Sequence, residues 1–302
     1  MTNAVTPFTL VVVVYHRSEP LRRLLGSALA GCTANRPRVI VVNLEDDPAV
    51  RAVAEEFDAD IVTAPDQGYA AAVNRGAQEV TDAITIFSCD DLEVDMGSLR
   101  RLADTIASGA ADVAAPRIVD LDGGDEATVR ALPTPWRLLL EWAVTSDRPR
   151  PGAQRIQKWR RPTTTESVDA FDAALVAVRT QILRDVPLAE DYFLYWEEID
   201  WCWRLRSAGY RSVLVPAAVV RHAGGRDDVR ADKQRLLARN AVRCVARTQG
   251  RWAALTAWPI IVAWQLRLLV VDSLRATVGK SDRVPARAAG VVAAVGAWRE
   301  IR

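Results

Sequence analysis

Ala83-Ile84-Thr85-Ile86-Phe87-Ser88-Cys89-Asp90-Asp91 reads as a short apolar strand that runs straight into two carboxylates. The apolar and β-branched residues from Ala83 to Phe87 mark a buried strand. Its acids stand at the carboxyl end, where open α/β sheets bind their ligands. Upstream, Phe8 to Tyr15 is a second continuous apolar strand. Ser18 then offers an N-cap, and Leu21, Leu24, Leu25, Ala28 and Leu29 recur at helical spacing until Gly31. A strand from Arg38 to Asn43, a helix from Pro48 to Phe57, a short strand from Asp60 to Thr63 and a helix from Gly68 to Val80 complete the alternation. Such alternation predicts an α/β fold with a mostly parallel sheet and crossover helices.

Downstream, residues 97 to 116 give another helix and strand. The pattern then fades from Asp120 to Glu166, where Gly123-Gly124, several prolines, Trp136, Trp142 and Trp159 suggest loops that shape one side of a site. Regularity returns with a strand from Ala173 to Val178, a helix from about Glu197 to Ala208 and a strand from Arg211 to Val215. From about Arg230 the chain reads as helix throughout. The expected division is therefore a catalytic domain over 1–229 and a helical appendage over 230–302.

The net charge of +1 hides an asymmetry. Residues 230–302 hold 14 Lys/Arg against 4 Asp/Glu, and residues 1–229 hold 25 against 34. A basic tail with long uncharged stretches suits an anionic lipid surface better than nucleic acid. Trp252 to Leu266 is uncharged but contains Pro259 and is short of the roughly 20 apolar residues of a membrane span. Three roles stay open for 252–298: entering the bilayer, resting on it, or dimerising. Leu10 to Val14 is too short to span and lacks the flanks of a leader peptide. Cys32, Cys89, Cys202 and Cys244 form neither a disulfide framework nor a zinc spacing, which fits a reducing compartment. A cytoplasmic site at the inner face of the cell membrane is the expectation.

Four constellations carry chemistry, and each has a plainer reading. Asp90-Asp91, with Glu93 and Asp95 behind, suits a hard cation that shares its remaining sites with phosphates, or is a solvated acidic turn. Glu197, Glu198 and Asp200 follow an aromatic stretch from Tyr192 to Trp196; they can supply a base for an incoming hydroxyl, or simply complement a helix dipole. His222 can complete a metal site or be a packed residue, and His16 shares that ambiguity. Asp66 to Gly76 opens a helix at Gly68 whose amides can face phosphate, with Asn74 and Arg75 as donors, or is a helix start with a small-residue packing face.

Taken in order, these blocks resemble the family 2 glycosyltransferases of GT-A fold, and among them the rhamnosyltransferase-like branch. Val14-Tyr15-His16-Arg17 stands for the family's Thr-Tyr-Asn-Arg, and Val41-Val42-Asn43-Leu44 for its Val-Val-Asp-Asn. Asp66 to Gly76 stands for Asn-Xaa-Gly-Phe…Ala-Asn-Asn-Xaa-Gly, and Cys89-Asp90-Asp91 for the Asn-Pro-Asp metal motif. Phe193 to Asp200 continues through Arg206 to Tyr210 as the family's acidic block does, His222 to Gly225 matches the closing His-Xaa-Gly-Gly, and Arg239-Asn240 matches an Arg-Asn pair. The resemblance covers about residues 8 to 240.

That resemblance implies roles. Asp91, with Asp90 and His222, would hold Mg²⁺ or Mn²⁺. Glu198, flanked by Glu197 and Asp200, would be the base in an inverting single displacement. Tyr15, Asn43, Glu45, Gln67, Gly68, Asn74 and Asp90 would lie near the nucleotide sugar. The donor would be a deoxythymidine-diphospho sugar such as dTDP-rhamnose, or a UDP-sugar. The acceptor would be a saccharide or polyprenyl-linked saccharide of the cell envelope. Three departures stand out: Asn43 and Glu198 each replace an Asp, and Ala173 replaces a Gly near the acceptor. Asn43 and Glu198 motivate the alternative of a non-catalytic, membrane-bound relative. A dinucleotide-dependent oxidoreductase is set aside because His16 to Leu21 lacks GxGxxG after the first strand. A nucleotidyltransferase is set aside because no glycine-rich, lysine-bearing loop is found there.

Overall fold

The computed structural model describes residues 6–32, 35–126, 128–144, 162–223 and 229–301, the side chains of 142–144 excepted. Trp159, Gly224 and Gly225, named above, lie outside the described residues, as does the Trp142 side chain. In chain order the first elements are β1 (Thr9–Tyr15), α1 (Ser18–Ala28), β2 (Arg38–Leu44), α2 (Pro48–Glu56), β3 (Asp60–Ala64), α3 (Tyr69–Gln78), β4 (Ile84–Cys89) and β5 (Leu92–Val94). There follow α4 (Met96–Ala107), β6 (Val113–Val119), β7 (Val129–Arg130), α5 (Pro135–Val144), β8 (Glu166–Ser167), β9 (Ala170–Phe171), β10 (Leu175–Arg179), α6 (Thr180–Asp185) and α7 (Glu197–Ser207). The chain ends with β11 (Ser212–His222), α8 (Ala231–Gln249), α9 (Arg251–Ala276) and α10 (Val284–Gly296).

These elements form two compact units. The first comprises Met1–Arg130, Lys158–Phe193 and Trp201–Gly224; the second comprises Ala131–Gln157, Leu194–Asp200 and Gly225–Arg302. The second unit thus takes in two segments ahead of residue 230, besides the expected appendage.

The first unit is built on a nine-stranded sheet of order β3-β2-β1-β4-β10-β6-β11-β5, with β8 on β11. Strands β1 to β4, β6 and β11 run one way, and β10, β5 and β8 run the other. Its central strands read as continuous apolar runs because both faces are covered. Leu10, Val12 and Val14 join Leu21, Leu24 and Leu25 of α1 in one core cluster. Val11 points the other way, against α3, where Gly76 sits so close that a Cβ would lie 2.5 Å from Val11 Cγ1. Trp201 of α7 is fully buried, edge-on to Phe87 at 5.8 Å and Phe171 at 6.4 Å, and its Nε1 donates to Val186 O at 2.6 Å. Removing so large a buried ring costs about 3–5 kcal/mol, so it anchors that part of α7.

Several expectations need correcting. Ser18 is the first helical residue of α1; Arg17 holds the cap position and makes no side-chain cap bond. Asp47 and Asp95 do cap: Asp47 Oδ1 accepts from Ala49 N at 2.7 Å, and Asp95 Oδ1 from Ser98 N at 2.9 Å. Asp95 is therefore a helix cap and no part of an acidic cation site. The region expected to be loops contains α5, whose Arg137 N bonds Thr134 Oγ1 at 3.2 Å. Strand β11 runs on to His222, past a register shift between Val215 and Val219 that lets it pair in turn with β8 and β5.

The second unit packs α8, α9 and α10 on one another, with Leu138 of α5 joining Val242, Val245, Ala257 and Ile261 in its core. Helix α9 extends well beyond Leu266 and is long and apolar enough to cross a membrane by length and composition.

Candidate active site

Strand β4 delivers Asp90 and Asp91 to the carboxyl end of the sheet. The chain then doubles back as β5 along β11 in the register His222↔Leu92, Arg221↔Glu93 and Val220↔Val94. This pairing sets the end of β11 beside the acids, and Ala223 N donates to Asp91 O at 2.9 Å. His222 Nε2 lies 3.5 Å from Asp91 Oδ1, and Nδ1 lies 3.4 Å from Glu126 Oε2. Cys89 Sγ donates to Asp91 Oδ1 at 2.9 Å. Arg17 Nη1 is 3.2 Å from both Asp90 Oδ1 and Asp91 Oδ2.

Burial sets the electrostatics. It lifts the Asp90 carboxyl to about 7, with the Arg17 charge opposing and the Asp91 charge adding. Burial pushes Asp91 the same way, but hydrogen bonds from His222 and Cys89 and the charges of His222 and Arg17 outweigh it and hold that carboxyl well below the usual range. His222 is raised to about 9: burial works against its charge, and the bonds to Asp91 and Glu126 prevail. The Cys89 thiol is pushed well up, first by burial and then by the Asp91 charge.

The donor set fits a hard divalent cation. Asp90 Oδ2 is buried without a hydrogen-bond partner among the described residues, a state that calls for a cation or water. At bonds of about 2.1 Å, two atoms on one Mg²⁺-sized ion lie no more than about 4.2 Å apart. His222 Nε2 and Asp91 Oδ1 meet that limit. Cys89 shares the cluster, its ligand atom within 4.8 Å of the other two. A soft sulfur that keeps its proton serves Asp91 as a hydrogen-bond donor and is a poor ligand for a hard ion.

The residues assigned to the nucleotide part company. Tyr15 ends β1 half-exposed, its ring 4.4 Å from that of His16, whose Nδ1 lies 2.6 Å from Asp47 Oδ2. Gln67 is exposed on the loop before α3. Glu45 is exposed too, and its Oε1 accepts from Asp66 N at 2.7 Å, tying the end of β2 to that loop. Gly68 is buried, where its backbone meets that of Phe193 and Tyr69 N donates to Phe193 O at 2.9 Å. Two of these residues are held by neighbouring backbone. Asn43 is fully buried and brackets the Asp47 backbone, donating to Asp47 O at 2.9 Å and accepting from Asp47 N at 3.0 Å. Asn74 is buried and clamps Leu188, donating to its O at 2.9 Å and accepting from its N at 3.1 Å, with Glu190 Oε1 at 2.9 Å. Arg75 pairs with Glu79.

In the second unit, Glu197, Glu198 and Asp200 occupy the first turn of α7. Glu197 and Asp200 are buried, and Asp200 Oδ2 lies 3.4 Å from Arg247 Nε of α8. Glu198 is half-buried and is the one of the three that reaches solvent. The turn is entered through Tyr195 and Trp196 at φ +69° and +76°, a conformation that costs a non-glycine residue energy. Asn240 of α8 holds it, donating to Leu194 O at 2.9 Å and Tyr195 O at 3.0 Å. That gives the Arg239-Asn240 pair its physical task, while Arg239 bonds Glu300 at 2.8 Å.

The family model described as glycosyl transferase family 2 matches residues 9–178, more than half of the chain. This chain belongs to glycosyl transferase family 2. The pre-mycofactocin glycosyltransferase of Mycobacterium tuberculosis is 29% identical to it over 220 residues, 71% of this chain. The chain spans only 42% of that relative's own length. The N-acetylglucosaminyl-diphospho-decaprenol L-rhamnosyltransferase of Mycobacterium tuberculosis is 26% identical over 288 residues, 88% of this chain and 93% of its own. Among solved structures, GalNAc-T7 with UDP, GalNAc and Mn²⁺ gives a TM-score of 0.59 at 15% identity over 80% of this chain and 48% of that one, a likeness of fold alone. The fold of this family 2 glycosyltransferase is GT-A, with a mostly parallel sheet flanked by helices and a C-terminal helical region.

Three groups around the glycosyltransferase's acids went unread in the sequence. Arg17 lay in a quoted motif but gave no sign of reaching Asp90 and Asp91. Cys89 stood next to them as an unremarkable thiol. Glu126 is brought to His222 only by the loop after β6, and no local pattern marks it.

Proposed function

We propose that this chain transfers a sugar, with inversion, from a nucleotide-diphosphate sugar to a hydroxyl of a saccharide or polyprenyl-linked saccharide in cell-envelope synthesis, on the cytoplasmic side of the membrane. The observation that carries it is the convergence of Asp90, Asp91 and His222 at the carboxyl end of the sheet, with a buried carboxylate oxygen lacking a partner. Those three residues would hold Mg²⁺ or Mn²⁺, as the donor chemistry allows. A bound cation would supply charge neutralisation for the departing nucleoside diphosphate. Tyr15 and Gln67, exposed beside the first and third strand ends, would meet the nucleotide, with Glu45 and Gly68 shaping the loop between them. Glu198 would take the proton from the acceptor hydroxyl, a role supported by its motif and by its exposure beside two buried acids. dTDP-rhamnose leads among the donors, supported by the rhamnosyltransferase relative matched over nearly its whole length; UDP-sugars come next.

The test is release of nucleoside diphosphate by purified protein across nucleotide sugars with Mg²⁺ or Mn²⁺, beside Glu198→Gln. Metal-dependent release from one donor, lost in the variant while donor binding persists, is the expected result. Donor binding without release or transfer across a broad acceptor panel would overturn the catalytic reading and leave a non-catalytic relative.

A further inference from the structure

The second unit contains a helix turned inside out. Along α9 the residues facing the bundle are Ala254, Ala257, Ile261, Gln265 and Asp272, at helical spacing. Two of the five are polar. Asp272 accepts from Arg287 Nε at 2.8 Å and from Ser281 Oγ at 3.2 Å, and Arg287 Nη1 donates to Gln234 Oε1 at 2.9 Å. The opposite face carries Trp252, Leu255, Pro259, Leu266, Val270 and Leu274, spaced so that they form one stripe. Trp252 is 80% exposed, Leu274 65% and Val270 55%. On α10, Val292 and Val295 are exposed too, as is Trp298 just beyond its end. A surface helix of a water-soluble bundle shows the reverse pattern. Helix α8 does so, presenting Asp232, Arg235, Arg239 and Arg247 outward.

We infer that the α9 stripe lies in the plane of an anionic membrane surface, its apolar side chains in the acyl boundary and its basic residues at the headgroups. Charge selects this occupant. Between residues 250 and 299 seven Lys/Arg stand against Asp272 and Asp282, and Asp272 is buried against Arg287. Arg251 and Arg267 flank the stripe and Lys280 stands just past its end, while Arg275 turns back towards Asp272 at 3.9 Å. A second copy of the chain, meeting this face with the same face, would set cations against cations. An anionic lipid surface complements them. Spanning is disfavoured although α9 is long enough, because α8 and α10 cover its inner side and the outer face of α8 would carry its charges into hydrocarbon. This inference does not depend on the sugar-transfer reading.

The experiment uses the full-length purified protein, co-sedimented with phosphatidylcholine vesicles with and without phosphatidylglycerol, at low and high salt. Binding is expected with phosphatidylglycerol, weaker at high salt. Leu266→Asp/Val270→Asp/Leu274→Asp, all on the exposed face, should weaken binding roughly tenfold or more. Arg267→Glu and Lys280→Glu should each weaken it about fivefold or more. Both sets should keep the parent's circular dichroism and melting temperature. Equal sedimentation with both vesicle types, or binding unchanged by the aspartates, would overturn the inference. So would resistance to alkaline carbonate extraction, which would mark a span. A lipid-free dimer dissolved by the same aspartates would assign the face to a second copy instead.

Discussion

Gly68→Ala would test how the segment leading into the acidic turn is held. Gly68 has φ +98° and ψ 170°, a conformation open in practice only to glycine. A Cβ there would lie 2.1 Å from Phe193 O and 2.5 Å from Phe193 Cα, both backbone atoms that no rotamer change can move. Alanine must therefore displace Phe193 and break the 2.9 Å bond from Tyr69 N to Phe193 O. The backbone conformation contributes about 1–3 kcal/mol and the lost bond about 0.5–1.5 kcal/mol, so the expected destabilisation is about 1.5–4.5 kcal/mol. At about 2–4 °C per kcal/mol for a domain of this size, the melting temperature should fall by about 3–18 °C. Circular dichroism melting reads the first effect and donor turnover the second, because the peptide after Phe193 leads directly to Glu198, the proposed base. Gly76→Ala is the control: its Cβ would press on side chains of Val11 and Val42, lowering stability without changing donor KM. A Gly68→Ala protein that melts within about 1 °C of the parent and turns over normally would refute the reasoning.

Two further outcomes follow from the acid–histidine cluster. His222 is raised from 6.5 to about 9. Below pH 6.5 folded and unfolded chains both carry the proton and its stabilising contribution is complete; from 6.5 to 9 only the folded chain keeps it, so stability falls as pH rises, by on the order of 3 kcal/mol at most. Melting of chelator-treated protein across that range should show the decline, and His222→Gln should flatten it; a parent profile already flat would contradict the assignment. Glu126→Gln should lower Mn²⁺ affinity by about 10–100-fold, measured by calorimetry, because Glu126 orients the His222 ring. Unchanged affinity would reduce Glu126 to a bystander.

The alternation of strands and helices was legible because both faces of the sheet are covered and each crossover helix has one apolar side. Asp90, Asp91 and His222 were legible as acids at a strand end and a histidine near the last strand, and the β5–β11 register supplies their convergence. The backbone partners of Asn43 and Asn74 were not legible, because an amide's chemistry suits a ligand or a backbone equally and only the neighbouring chain shows which groups it holds. The direction of β10 was not readable: an apolar strand buried on both faces carries no mark of which way it runs. The apolar stripe on α9 was hidden because apolar residues occur all round the helix, and only the packing of α8 and α10 shows which of them stay exposed.

The place of β10 in the sheet also orders the birth of the fold. Strands β1 to β4 are complete once residue 89 has left the ribosome, and they pair among themselves. Strands β5 and β6 are made next, yet β5 pairs with β11 and β6 with β10 and β11, so β6 waits through more than fifty residues for a partner and β5 for longer. Meanwhile β4 presents an open edge of backbone donors and acceptors at the centre of the future sheet. Long-range closure of this kind is slow and leaves the nascent chain open to mispairing. The vulnerable interval in the life of this protein is therefore the translation of residues 90 to 179, and changes there should lower yield more than they lower the stability of the finished molecule.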